Sequence, residues 1–273
     1  MSRIASCFAE LKTQGRKALI PYITAGDPQP QATVELMHSL VEAGADLLEL
    51  GVPFSDPMAD GPVIQAACER ALVHHVSLHD VLEMVAEFRK INNHTPVILM
   101  GYLNPVEIMG YKTFAQQADK VGVDGLLTVD LPPEESHDLV EELNQNGIDP
   151  IFLAAPTSTA ERLEKIAHAG SGFLYYVSFK GVTGANALDV DSVAKKLNQI
   201  RQITPLPVGV GFGIRDAESA AQIARVADAV VVGSAIVKQI AAHANDMQKI
   251  KIEVTKLVGS MRAAMDAMTR QAA

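Results

Sequence analysis

The sequence predicts a single (β/α)8 barrel with an extra helix at its N-terminus. Eight short apolar runs recur along the chain, amphipathic segments lie between them, and no Gly/Ser-rich linker interrupts residues 1–273. Strand and helix alternating in this way build a parallel sheet covered by helices. A doubly wound open sheet is the alternative. Eight units suit closure, however, and no dinucleotide fingerprint follows the first run.

The runs are 19-LIPYITAG-26, 45-ADLLELGV-52, 96-PVILMGY-102, 125-GLLTVDLP-132, 150-PIFLAAP-156, 173-FLYYVS-178, 207-PVGVGF-212 and 229-AVVVGSAI-236. Each is too short for a buried helix and is bounded by Gly, Pro or Asp. Most are almost continuously apolar, as strands are when both faces of a parallel sheet are covered. Helix signals fill the gaps. Residues 30–43 stop before Gly44, 133–146 start on Pro133 with acids and stop at Gly147, and 159–169 run from Thr159 to Gly170. Residues 216–226 begin with Asp216 and Glu218. The insert 62–92 holds two helical stretches where one would suffice, and 246–270 is a long helical pattern with a break expected near Gly259. Residues 1–14 form the extra helix, expected at the bottom of the barrel.

Composition narrows the function. With 48% hydrophobic and 20% charged residues the chain is globular. A net charge of −9, spread along the chain, argues against a nucleic-acid or anionic-membrane surface. Cys7 and Cys68 have neither metal nor disulfide spacing and fit a reducing cytosol. There is no secretory h-region, and no run of about 18 apolar residues that would span a bilayer.

In such a barrel the chemistry sits at the C-terminal ends of the strands. The candidates by position are Gly26-Asp27, Glu49 to Asp60, Tyr102, Asp130, Pro156-Thr157, Tyr175 to Gly184, Gly211 to Gly213 and Gly233 to Ala235. The seventh and eighth ends carry 208-VGVGFGIRD-216 and 229-AVVVGSAI-236. Glycines there let backbone N–H groups approach an anion, and a helix N-terminus adds partial positive charge. Gly213, Gly233 and Ser234 are therefore phosphate candidates. Taken singly, each glycine is better explained by a tight turn; the two sites together, in this register of eight strands, favour phosphate. The run 181-GVTGA-185 adds a third flexible donor region at the same rim.

The stretch 46-DLLELGVPFSDPMADGPVIQ-65 places an acid among leucines. Side chains alternate along a strand, so Leu47, Glu49 and Gly51 share one face while Leu48 and Leu50 pack against helices. Glu49 then points into the barrel mouth, where burial raises its pKa toward neutrality and suits it to proton transfer. A structural ion pair is the other reading of Glu49. Asp60 precedes Gly61-Pro62 and reads either as a helix cap or as a second carboxylate, ionised on a wetter loop. Asp56 is a turn residue, and the His74-His75 pair lies on a helix with its rings apart. Asp130 is either a turn residue or part of the site. Lys180 lies beyond its strand, which disfavours a buried amine. No His/Cys/Asp cluster has metal-ligand spacing, so no metal is expected. The residues alone give a barrel enzyme acting on a small phosphorylated substrate through carboxylate acid–base chemistry.

Read together, 22-YITAGDP-28, 49-ELGVPFSDPMADGPVIQ-65, 99-LMGYLNP-105, 128-TVDLPPEE-135, 175-YYVSFKGVTGAN-186 and 207-PVGVGFGIRD-216 resemble the tryptophan synthase alpha subunit family along essentially the whole chain. The resemblance implies a lyase that cleaves indole-3-glycerol phosphate to indole and glyceraldehyde 3-phosphate by a retro-aldol step. It makes Glu49 the general acid–base and Asp60 the partner of the indole N–H. Tyr175 helps to position substrate, and Tyr22, Met100, Leu127 and Phe212 become walls of an indole pocket. Thr183 belongs to a closing loop, and Gly184, Gly213 and residues 233–235 hold phosphate. That loop departs from an arginine-containing form of the family, with Phe179 and Lys180 in its place. The resemblance further implies an α2β2 assembly with a beta subunit. The beta subunit carries pyridoxal phosphate, while this chain carries no cofactor, and Asp56 and Asn104-Pro105 are the expected contacts. A sugar-phosphate isomerase or aldolase would also use a strand-end glutamate, yet it has no need of the second acid. A silent barrel that only activates a partner has no need of either.

Overall fold

The computed structural model describes residues 2–178, 189–211 and 213–271. Its strands are β1 (Ala18–Thr24), β2 (Leu48–Gly51), β3 (Val97–Gly101), β4 (Gly125–Thr128), β5 (Asp149–Ile151), β6 (Leu153–Ala154), β7 (Leu174–Val177), β8 (Val208–Gly211) and β9 (Ala229–Val232). All paired strands are parallel, in the order β5-β4-β3-β2-β1-β9-β8-β7-β6. The two ends of this order, β5 and β6, are successive pieces of the predicted run 150–156, separated only by Phe152. β5 pairs with β4 and β6 with β7, so the chain itself closes the ring. This is the expected eight-unit barrel with its fifth strand interrupted.

The helices are α1 (Arg3–Thr13), α2 (Pro30–Glu42), α3 (Pro62–Leu72), α4 (Leu78–Arg89), α5 (Leu103–Met109), α6 (Tyr111–Val121), α7 (His137–Gln145), α8 (Ala160–Ala169), α9 (Val190–Ile203), α10 (Ala217–Ala224), α11 (Ser234–Ala242) and α12 (Met247–Gln271). The insert holds two helices, as its pattern predicted. So does the connection from β3 to β4, where Gly110 turns the chain at φ 85°. Several boundaries differ from the sequence reading. α7 begins at His137 rather than Pro133, because Pro132 and Pro133 open a turn that Glu135 N–H closes onto the Pro132 carbonyl. The eighth strand ends at Val232, since Ser234 already belongs to α11. α12 runs unbroken through Gly259, which the helix tolerates at a cost of roughly 1 kcal/mol relative to alanine. His74 and His75 lie in the turn after α3, with His75 at φ 59°, not on the helix.

Alternation along the strands separates two apolar layers. Leu19, Ile23, Leu48, Leu50 and Leu99 pack outward against helix residues such as Leu36, Leu40, Phe88 and Phe114. Ile20, Leu47, Ile98, Leu127, Ile151, Phe173 and Val231 fill the barrel interior together with Ile4, Phe8 and Leu11 of α1. Helix α1 is thus the predicted extra element, and it plugs the N-terminal end of the barrel. Ser2 fixes it twice: its Oγ accepts from Ala5 N–H at 3.2 Å and donates to Asp149 of β5 at 2.6 Å. Ser2→Ala is expected to cost about 1 kcal/mol of unfolding free energy in urea titration. With the barrel interior plugged from below, a cleft remains at the opposite end, where the strand C-termini converge.

Candidate active site

At that end lies a cleft of about 250 Å³ lined by Tyr22, Glu49, Asp60, Val63, Ile64, Met100, Tyr175, Gly213, Val231, Gly233 and Ser234, among others. Glu49 stands in register with Tyr22 of β1 and Ile98 of β3. It is 1% exposed, and its Oε1 has no hydrogen-bond partner among the described residues. The ion-pair reading of Glu49 is therefore not realised there. Burial, and secondarily the charge of Asp60, push its pKa up to about 8. A carboxyl group in that range is largely protonated at neutral pH, and it exchanges its proton at little cost.

Asp60 enters from the β2–α3 loop. It does not cap α3, whose N-cap is Gly61 with no side-chain bond. Its carboxylate instead accepts a hydrogen bond from the Tyr102 hydroxyl at 3.0 Å, and that hydroxyl accepts from Ala59 N–H at 2.9 Å. The Tyr102 ring stacks on Phe54, centroids 5.1 Å apart. Gln65 of α3 donates to the Asp60 carbonyl at 2.8 Å. Asp60 is less enclosed than Glu49, as expected, yet burial still moves its pKa up against the opposing hydrogen bond from Tyr102.

Two glycines make room for two tyrosines. A Cβ on Gly51 would overlap the Tyr22 hydroxyl and stand 2.6 Å from its Cζ; one on Gly211 would overlap the Tyr175 hydroxyl and stand 2.7 Å from its Cζ. Tyr22 also shares a hydrogen bond with Thr24 at 3.1 Å. Each phenol ring consequently reaches over the neighbouring strand, into the space a side chain there would fill. Of the adjacent Tyr175 and Tyr176 on β7, Tyr175 faces inward and Tyr176 packs in the outer layer.

On the far side of the cleft, Gly213 adopts φ 77°, a conformation that favours glycine, and Gly233 is the N-cap of α11. The first N–H groups of that helix, beginning at Ser234, have no carbonyl partner within it. The phosphate candidates of the seventh and eighth strand ends thus meet on one wall.

Leu127 is the exception among the described wall residues. It points inward but is fully buried in the interior layer, below the cleft. Phe212, Thr183 and Gly184, and Phe179 and Lys180 with them, lie outside the described residues. Asp27 is a strand-end acid with a structural task, being 1% exposed and held by Arg70 at 2.6 and 2.8 Å. Asp130 accepts from Leu103 N–H at the start of α5. The sequence reading missed Val63 and Ile64, in the first turn of α3, which bring the insert to the barrel mouth. It placed Tyr102 at a strand end but gave it no role. Among the described residues there is no group of three His, Cys, Asp or Glu side chains able to hold a metal, and no helix long and apolar enough to cross a membrane.

The family model described as tryptophan synthase alpha chain matches residues 8–266. The tryptophan synthase alpha chain of Thioalkalivibrio sulfidiphilus is 66% identical, covering 97% of this chain and 100% of that one. That of Nitrosococcus oceani is 65% identical, covering 98% of each. The crystal structure of tryptophan synthase subunit alpha from Legionella pneumophila superposes with a TM-score of 0.92 at 48% identity, covering 98% of this chain and 99% of that one. A protonatable glutamate, a second acid and a glycine-lined helix terminus share one cleft, and relatives match from end to end: the chain belongs to the tryptophan synthase alpha chain family.

Proposed function

We propose that this cleft performs the family's retro-aldol cleavage of indole-3-glycerol phosphate, with Glu49 as acid and then base. The observation that carries this assignment of roles is the unpartnered, buried Glu49 held near pKa 8 beside Asp60. Protonated Glu49 delivers its proton to the indole ring carbon that bears the glycerol phosphate. The ring becomes cationic, and Asp60, near the ring nitrogen, stabilises that charge. The Glu49 carboxylate then accepts the proton of the side-chain hydroxyl. As the carbon–carbon bond breaks, its electrons return to the ring. Indole and the aldehyde leave, and Glu49 is protonated again.

Tyr22, Met100, Tyr175, Val63 and Ile64 supply the apolar walls for the indole, with Phe212 added from outside the described residues. Gly213, Gly233 and Ser234 hold the phosphate through backbone N–H groups and the α11 terminus, joined by Gly184. Thr183, also outside the described residues, is assigned to substrate binding on the family resemblance.

A beta subunit is the partner that the family implies. We place it in an α2β2 assembly in the cytosol, with the pyridoxal phosphate on the beta side and no cofactor in this chain. The surface offered is the loop tip bearing Asp56 and Met58, together with α5 and its Asn104-Pro105 start. Met58 is 86% and Ile108 80% exposed, so both apolar side chains are available for contact. The test is cleavage of indole-3-glycerol phosphate by the purified chain with and without a beta subunit. Slow cleavage alone and faster cleavage in the complex are expected; no cleavage in the complex would overturn the assignment.

A further inference from the structure

We propose that Tyr102 is a positioning residue for the reaction: its hydroxyl fixes one oxygen of Asp60 so that the other is presented to the indole nitrogen. This rests on the reading of Asp60 given above. The geometry is specific. A phenol has one proton to give, and here it goes to Asp60 Oδ2, while a lone pair accepts Ala59 N–H. The ring face meets Phe54 at the other end of the same loop. One side chain at the end of β3 therefore clips both ends of the 54–60 loop, leaving Ser55–Met58 as a projecting tip. Burial holds the Tyr102 hydroxyl above the usual phenol range, so it remains a donor throughout the working pH range.

Other groups face Asp60 as well. Glu49 of β2, Tyr22 of β1, Tyr175 of β7 and Cys68 of α3 all sense its charge. Among these groups, Tyr102 is the one with a hydrogen bond to the carboxylate in the described residues. Its loss would leave Asp60 free to rotate and ease its protonation.

The test compares Tyr102→Phe, Asp60→Asn and the double variant in the complex with a beta subunit, with indole-3-glycerol phosphate as substrate. Tyr102→Phe keeps the ring on Phe54 and removes only the hydroxyl. The expected result is a kcat lower by roughly 10-fold or more, a KM changed far less, and an acidic limb of the pH–rate profile moved to higher pH. The double variant should be no slower than Asp60→Asn, as for two residues acting through one interaction. Should Tyr102→Phe fold poorly, 3-fluorotyrosine incorporated at Tyr102 gives a stronger donor of nearly the same shape and should move the acidic limb down. Wild-type kcat and an unmoved limb in Tyr102→Phe, with Asp60→Asn inactive, would overturn the proposal and leave Asp60's role standing. An active Asp60→Asn would instead remove the role of Asp60 itself.

Discussion

Glu49→Gln is expected to abolish cleavage while making the protein more stable at alkaline pH. The amide keeps the size and shape of the side chain but can neither give nor take the proton, so kcat should fall by roughly 10²–10⁴-fold, the usual contribution of a positioned acid–base group. Stability follows from linkage. In the unfolded chain Glu49 loses its proton near the ordinary glutamate value of 4.5; in the folded chain it keeps it to about 8. Between those values the native state holds one more proton than the unfolded state, so the stabilising effect present below pH 4.5 is lost as pH rises through about 8. Each pH unit in that window weakens the wild type by about 1.4 kcal/mol relative to a chain without the group. The advantage of Glu49→Gln should therefore be larger at pH 8.5 than at pH 5, by an amount on the order of a few kcal/mol. Urea titrations of both proteins at the two pH values measure it. An advantage independent of pH would show that Glu49 does not retain its proton on folding. The wild-type reaction should share the same signature, with kcat/KM declining as pH rises past about 8.

The position of Glu49 was legible because it needs only local information. A strand alternates, three leucines flank one acid, and the outward pair Leu48 and Leu50 leaves a single direction for Glu49. The glycines of the last two strand ends were legible for the same reason. Depth was not. Parity also points Leu127 inward, but whether an inward residue reaches the cleft or lies beneath it depends on strand stagger and on how far α1 plugs the barrel. Nor was the attachment of Asp60. The motif placed an acid before Gly61-Pro62, where capping and catalysis look alike. What separates them is Tyr102, 42 residues away, brought alongside by the pairing of β2 with β3. The interruption of the fifth strand at Phe152 and the continuity of α12 past Gly259 are likewise settled by packing between distant elements rather than by the residues themselves.

Gly211→Ala should damage both the fold and the reaction, and the reason lies in the neighbouring strand. Val177 of β7 stands opposite Gly211 of β8, and the Tyr175 ring reaches across to occupy the space a side chain at 211 would take. The ring is rigid, so an added methyl group cannot be avoided by a small adjustment at its tip. Both the hydroxyl and Cζ are too close. Phe173 lies on one side, at 6.5 Å between centroids, and the interior layer is closed, so the cleft is the direction left for the ring. A loss of about 1–3 kcal/mol is expected from the overpacking. A rise in KM for indole-3-glycerol phosphate should accompany it, because the displaced phenol fills the volume meant for the indole. Gly209→Ala provides the comparison: its Cβ would meet Phe173 at 3.0 Å, deeper in the barrel, so the stability loss should be smaller and KM should stay near the wild-type value. Adding Tyr175→Phe to Gly211→Ala removes the worst overlap but leaves Cζ in place, so it should restore stability only in part. If Gly211→Ala keeps both wild-type stability and wild-type KM, the Tyr175 ring does not occupy that space in solution, and its place in the wall of the cleft falls with it.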